Sequence, residues 1–268
     1  MRFMEYGKEN SRALILLHGG GLGWWSCRAI AEALEKDFHV VIPTLDGHGG
    51  ADRSFVSIEE NAAELIDYID REHSGKVAFI GGLSLGGQIL CEMLSKRADI
   101  CDAAIIESAS VFPSPSWISA LMKPTMDMSY PLISQKWFAK WQFKYLRIRE
   151  DLFPEYFEDT VKIAKDDMTA FLKASVEYGL KPSISETRAK VKVVAGGKEQ
   201  RDIIRSAEAI HRAIPGSELH VKDRLYHGEW SINHLEDYVE TVRKMLLSCY
   251  KRQLKFTKKD IFQKYERI

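Results

Sequence analysis

The sequence predicts an α/β fold: a mostly parallel, doubly wound sheet of about six to seven strands, with a helical lid inserted after a strand at 103–107. Three observations carry this prediction. Short, continuously apolar runs alternate with longer amphipathic stretches, as strands buried on both faces beneath covering helices require. A serine walled in by glycines stands at one strand-to-helix junction, in Gly81-Gly82-Leu83-Ser84-Leu85-Gly86-Gly87. The alternation stops between about 109 and 188 and then resumes.

Taken in order, Arg2–Tyr6 is the candidate seventh strand, at an edge, and Ala-Leu-Ile-Leu-Leu (13–17) is the first apolar run. A helical stretch at about 25–37 leads to His-Val-Val-Ile-Pro (39–43). Ser57-Ile58-Glu59-Glu60 has capping-box form and opens a helix reaching about residue 73. Val-Ala-Phe-Ile-Gly (77–81), a helix from Ser84 to about 97, and Ala-Ala-Ile-Ile-Glu (103–107) follow. After the break come Val-Lys-Val-Val-Ala (191–195), a helix at about 202–213, Glu-Leu-His-Val-Lys (218–222) and a last helix at about 232–248. The core is therefore expected in 1–108 and 189–249.

The stretch 109–188 shows no strand pattern. It carries the punctuation Pro113, Pro115, Pro124, Pro131, Pro154 and Pro182, and its large side chains fall on three apolar-faced helical segments. It reads as a cap whose large residues build its own core and line an apolar ligand pocket. Trp137 and Trp141 lie four apart, on one helix face. The tail 250–268 holds seven basic and two acidic residues and reads as a solvated helix or a frayed end without assigned function.

A chain of 268 residues accommodates one large α/β domain with an insertion, or two small domains. It is 45% apolar and 28% charged, as an ordinary globular protein is, and its 38 basic residues balance 38 acidic ones, which argues against a nucleic-acid binder. Cys27, Cys91, Cys101 and Cys249 are scattered without a CxxC, so reduced thiols in a cytoplasmic protein are expected. The N-terminus has no apolar core behind a basic start, and the first apolar run ends after five residues. Neither a signal peptide nor a membrane span fits.

Gly82-Leu83-Ser84-Leu85-Gly86 fits G-x-S-x-G, and its place between a predicted strand and a predicted helix is what a nucleophile elbow needs. Small residues let the chain turn within a few positions and lift the hydroxyl above a helix N-terminus, which favours developing negative charge. With these residues the chain resembles the α/β-hydrolase family over nearly all of 12–248. His18-Gly19-Gly20-Gly21, directly after the first apolar strand, is similar to that family's oxyanion turn. The resemblance implies that the N–H groups of Gly20 and Leu85 stabilise the oxyanion, with Gly21 the alternative to Gly20. A phosphate loop is the rival reading of these glycines, but no Gly-Lys-Ser/Thr follows.

The family orders its triad as serine, acid, histidine. His211 falls in a predicted helix, His220 in a predicted strand and His234 on the final helix. His227, in Leu-Tyr-His-Gly-Glu-Trp, resembles the catalytic-histidine turn. Gly196-Gly197-Lys198-Glu199 resembles the family's Gly-x-x-Asp, with glutamate in place of aspartate; Glu107, at the end of its own strand, competes for the role. Thr44 stands where relatives often have aspartate, at a structural position, and His48 reads as a hydrogen bonder that fixes its loop. The resemblance implies a serine esterase acting through an acyl-enzyme on Ser84, His227 and Glu199, with an apolar acyl pocket under a helical lid. Thioesterase, lactonase, acyltransferase and C–C bond hydrolase share this triad. From another class, a ligand-binding protein without turnover is the alternative. A small-molecule ester is the expected partner. No cofactor and no metal is implied, and oligomeric state is not legible.

Overall fold

The computed structural model describes the backbone of residues 1–265 and the side chains of residues 1–251. Seven strands form one sheet: β1 (Arg2–Tyr6), β2 (Ala13–Leu17), β3 (His39–Thr44), β4 (Val77–Leu83), β5 (Cys101–Glu107), β6 (Lys190–Gly196) and β7 (Glu218–Lys222), in the order β1-β3-β2-β4-β5-β6-β7. β1 runs antiparallel to β3, and every other pairing is parallel. The central strands are apolar throughout because both of their faces are covered. On β2, Leu14 and Leu16 pack toward α1 (Trp25–Leu34) and α10 (Leu235–Tyr265). Ile15 and Leu17 pack toward α2 (Ile58–Glu72), α3 (Leu85–Lys96) and α8 (Arg201–Ala213). All four of these side chains are buried, each contributing roughly 1.5–3 kcal/mol. The outer strand β7 is half exposed and bears charge instead: Lys192 on β6 holds Glu218 at 2.7 Å, a device that blunts a sheet edge.

Ser57 caps α2 by accepting the Glu60 N–H at 3.0 Å, one half of the expected capping box. β4 runs two residues past its predicted end, so Gly82 and Leu83 also belong to the strand. The last helix is broken: α9 (Glu229–Asn233) precedes α10, and His234 sits at the joint with ψ 58°, off the helix. α10 carries the chain into the basic tail; its side chains from 252 on and residues 266–268 lie outside the described residues.

Between β5 and β6 lie four α-helices, not three: α4 (Ser116–Ile133), α5 (Lys136–Leu146), α6 (Phe153–Thr160) and α7 (Lys165–Glu177). Arg147, left-handed at φ 55°, ends α5, and Pro154 opens α6 in its first turn. Pro124 and Pro131 do not punctuate; they lie inside α4. Both are exposed, as are Ala120 and Asp127 four residues earlier, whose carbonyls each proline leaves without a helical donor. The insertion is fastened to the core by side chains that sequence separation hides. Trp25 Nε1 donates to Asp159 at 2.9 Å, Arg28 pairs with Glu155 at 2.9 Å, and the Phe55 N–H donates to Asp167 at 2.8 Å. Among the described residues no helix is long and apolar enough to cross a membrane.

Candidate active site

Ser84 stands between the last residue of β4 and the first of α3 with φ 52° and ψ −113°. A non-glycine residue in such a conformation stores on the order of 1–3 kcal/mol, which the surroundings must impose. The flanking glycines show how. A Cβ on Gly82 would meet the Gly86 carbonyl oxygen at 2.4 Å, and one on Gly86 would meet the Leu17 carbonyl oxygen at 2.4 Å. Only bare backbone lets β4, α3 and the end of β2 come this close. The Ser84 N–H is tied to the Glu107 carbonyl at 2.8 Å, leaving the hydroxyl partly exposed at the C-terminal edge of the sheet.

His227 lies in the loop after β7, and Glu199 in the loop after β6. These are neighbouring strands, so both loops emerge at one edge, where the Lys198 N–H reaches the Leu225 carbonyl at 2.9 Å. His227 Nε2 is 3.0 Å from Ser84 Oγ, and Nδ1 is 2.7 Å from Glu199 Oε2. A carboxylate beside Nδ1 requires Nδ1 to carry the proton, which leaves Nε2 free to accept from the serine. The Glu199 side chain is fully buried, and its other oxygen accepts from the Gly196 N–H at 2.6 Å and the Ser108 hydroxyl at 2.7 Å. Burial pushes its carboxyl up, but the hydrogen bond and charge of His227, with those two donors, hold it below the ordinary value. Glu199 is therefore ionised at neutral pH.

Sequence reasoning missed Ser108. It follows β5 directly, at φ 56°, and contacts both the acid and, at 3.4 Å, the Gly228 N–H beside His227. The signal was available: a hydroxyl immediately after a strand that ends at this edge. Glu107, one residue earlier, is placed elsewhere. It is buried, and its Oε1 accepts from the Ser231 N–H at 3.2 Å on α9, not from His227. Burial pushes its carboxyl up to about 7.

The turn after β2 is fixed from within by His18, which is completely buried. The Leu45 N–H donates to its Nε2 at 3.2 Å, so Nδ1 carries the proton and donates to the Gly19 carbonyl at 2.9 Å. Burial and the neighbouring His48 hold the imidazole neutral, lowering its pKa to about 3. His48 is buried too, hydrogen-bonded through Nδ1 to the Asp46 carbonyl at 3.0 Å and stacked on Phe171 of α7. So held, Gly20 packs on Leu85, a Cβ there standing 3.6 Å from the Leu85 Cβ. Leu85 opens α3, so its N–H has no partner within the helix. Gly21 has φ 73° and faces open space.

The family model described as the alpha/beta hydrolase family matches residues 14–243. The chain belongs to the alpha/beta hydrolase family. A curated relative, an AB hydrolase superfamily protein of Gibberella zeae, is 25% identical over 117 residues, 41% of this chain; the match spans only 40% of that relative. Among solved structures, a thermophilic esterase from Thermogutta terrifontis is 18% identical with TM-score 0.74, over 92% of this chain and 93% of its own. The enol-lactonase from Burkholderia xenovorans LB400 is 15% identical with TM-score 0.76, over 92% and 96%. At these identities the likeness is one of fold.

In this α/β hydrolase a cavity of about 340 Å³ opens beside the glycine turn after β2. Gly20 and Gly21 form one wall; Trp141, Tyr156, Met168 and Phe171 of the inserted helices form much of the rest. The lining is chiefly apolar, suited to a hydrocarbon group. Among its described residues no group of three or more His, Cys, Asp or Glu is arranged to hold a metal ion.

Proposed function

We propose that this α/β hydrolase is a serine hydrolase that cleaves a carboxylic ester through an acyl-enzyme, with residues 109–188 as a cap over the acyl site. One observation carries the reading: the continuous chain Glu199–His227–Ser84, at 2.7 Å and 3.0 Å, with the serine hydroxyl accessible. Ser84 Oγ attacks the ester carbonyl as its proton passes to His227 Nε2, and Glu199 stabilises the imidazolium. The oxyanion is held by the N–H groups of Gly20 and Leu85 at the head of α3. Collapse of the tetrahedral species breaks the C–O bond, and His227 returns the proton to the departing alcohol. Water, deprotonated by His227, then attacks the acyl carbonyl and releases Ser84 with its proton restored. The apolar cavity beside Gly20 takes the acyl chain. Cys27, Cys91 and Cys101 are buried free thiols, which fits a reducing cytoplasmic setting.

The test is hydrolysis of p-nitrophenyl esters by the purified chain and by Ser84→Ala. The variant is expected to fold normally and to lose about 10⁴–10⁶ in kcat. Undiminished turnover in Ser84→Ala would remove the serine from the mechanism.

A further inference from the structure

The helices α4 and α5 each keep a line of large apolar side chains exposed. On α5, Trp137, Trp141 and Tyr145 recur every fourth position and are 64%, 64% and 76% exposed. At about 100° per residue this stripe lies diametrically opposite Ala139 and Phe143, the two residues α5 buries. On α4, Trp117, Leu121 and Met128 share one helical face and are 63%, 49% and 77% exposed. A helix that has already buried one apolar face does not need a second in water.

The charge along α5 is one-sided. Residues 128–149 contain Lys136, Lys140, Lys144, Arg147 and Arg149 and no acidic residue, in a chain whose net charge is zero. Lys136, Lys140 and Lys144 form their own stripe between the aromatic stripe and the buried face. All three are exposed, and among the described residues none is ion-paired with a carboxylate. Arg147 and Arg149 are otherwise engaged, Arg147 stacking on the Tyr226 ring and Arg149 pairing with Asp151. Lys140 also lies over the Phe153 ring, 5.7 Å from its centroid. Aromatic side chains on the outermost line, flanked by exposed lysines without a carboxylate partner, match the two layers of a lipid surface. The rings sit at the boundary between headgroups and acyl chains, and the lysine stems let the ammonium groups reach anionic phosphates. A folded acidic partner would be served by the lysines alone; the two Trp and one Tyr on the outer line favour lipid.

We infer that the exposed face of α5 docks this protein on an anionic lipid surface, with Trp137 and the Lys136/Lys140/Lys144 stripe as the anchoring groups. Trp141 and Tyr145 belong to the same stripe and also wall the apolar cavity, so docking brings the cavity against the lipid layer. The inference does not depend on the hydrolytic reading, because binding is measured with Ser84→Ala.

The experiment is vesicle flotation of the full chain carrying Ser84→Ala, with vesicles of phosphatidylcholine alone or with on the order of one-third phosphatidylglycerol. Flotation is expected only with the anionic vesicles and is expected to weaken as salt rises from about 0.1 M to several-fold that. Lys136→Gln/Lys140→Gln/Lys144→Gln and, separately, Trp137→Ser should each lower the binding constant at least about tenfold. In the Ser84 background, both should keep wild-type circular dichroism and hydrolysis of a water-soluble acetate ester. Equal binding to uncharged vesicles would overturn the inference, as would undiminished binding by the triple variant, which would place the contact on the basic C-terminal tail. So would a dimer seen by light scattering without lipid and dissociated by Trp137→Ser, because a second copy would then be the occupant.

Discussion

Three donors converge on Glu199: the His227 ring, the Gly196 N–H and the Ser108 hydroxyl, all at 2.7 Å or less. In the proposed mechanism, replacing the carboxylate by an amide removes the charge that stabilises the imidazolium and allows the wrong ring tautomer. Glu199→Gln is therefore expected to lose at least about 10² in kcat on an activated ester, while Glu107→Gln keeps most of its activity. Ser108 acts through the acid, so Ser108→Ala should lower kcat about tenfold with KM little changed, the size expected of one hydrogen bond to a charged group. Steady-state kinetics of the three variants checks both expectations; an inactive Glu107→Gln beside an active Glu199→Gln would exchange the roles. At this scale the sequence was legible wherever local backbone geometry dictates residue type. Gly82 and Gly86 are readable because only glycine fits there. Ser108 was marked only by its place directly after a strand that ends at this edge; its partner lies 91 positions away, so no sequence pattern pairs the two.

Among the elements, the inserted helices are where pattern and structure part. Strand and helix order was readable in the core because burial on both faces imposes long apolar runs. In α4 the prolines looked like breaks, yet their exposed position allows the helix to pass through them. The fastening points Trp25–Asp159 and Arg28–Glu155 join residues more than 120 positions apart and leave no sequence pattern. The walls these helices give the cavity set an expectation for chain length. Each further CH₂ buried is worth about 0.8 kcal/mol, so kcat/KM should rise about three- to fourfold per methylene from acetate toward hexanoate. A flat or falling series, measured with p-nitrophenyl esters, would mean that the acyl chain does not enter the cavity.

Across the molecule, three buried titratable groups set opposing pH dependences. Burial holds His18 and His48 neutral, lowering them to about 3 and about 4, so the unfolded chain takes up their protons first as pH falls below 6.5. Each then contributes stability that is present above pH 6.5 and lost toward its folded value, at about 1.4 kcal/mol per pH unit. Glu107 runs the other way. Raised to about 7 by burial, its contribution is complete below pH 4.5 and lost as pH rises to about 7. Glutamine stays neutral throughout, so Glu107→Gln should gain on the wild type by about 3 kcal/mol between pH 4.5 and 7 in urea titrations. A constant difference between the two proteins would contradict a protonated Glu107. The parallel sheet itself accounts for the site: β4, β6 and β7 deliver the serine, the acid and the histidine to one edge, which strand order made readable before any side chain was placed. Whether that edge activates a nucleophile is tested most directly by a fluorophosphonate probe followed by peptide mass mapping. Stoichiometric labelling of Ser84, slowed at least about a hundredfold in His227→Ala, is the expected result. An unlabelled Ser84, or labelling as fast without His227, would contradict the assignment.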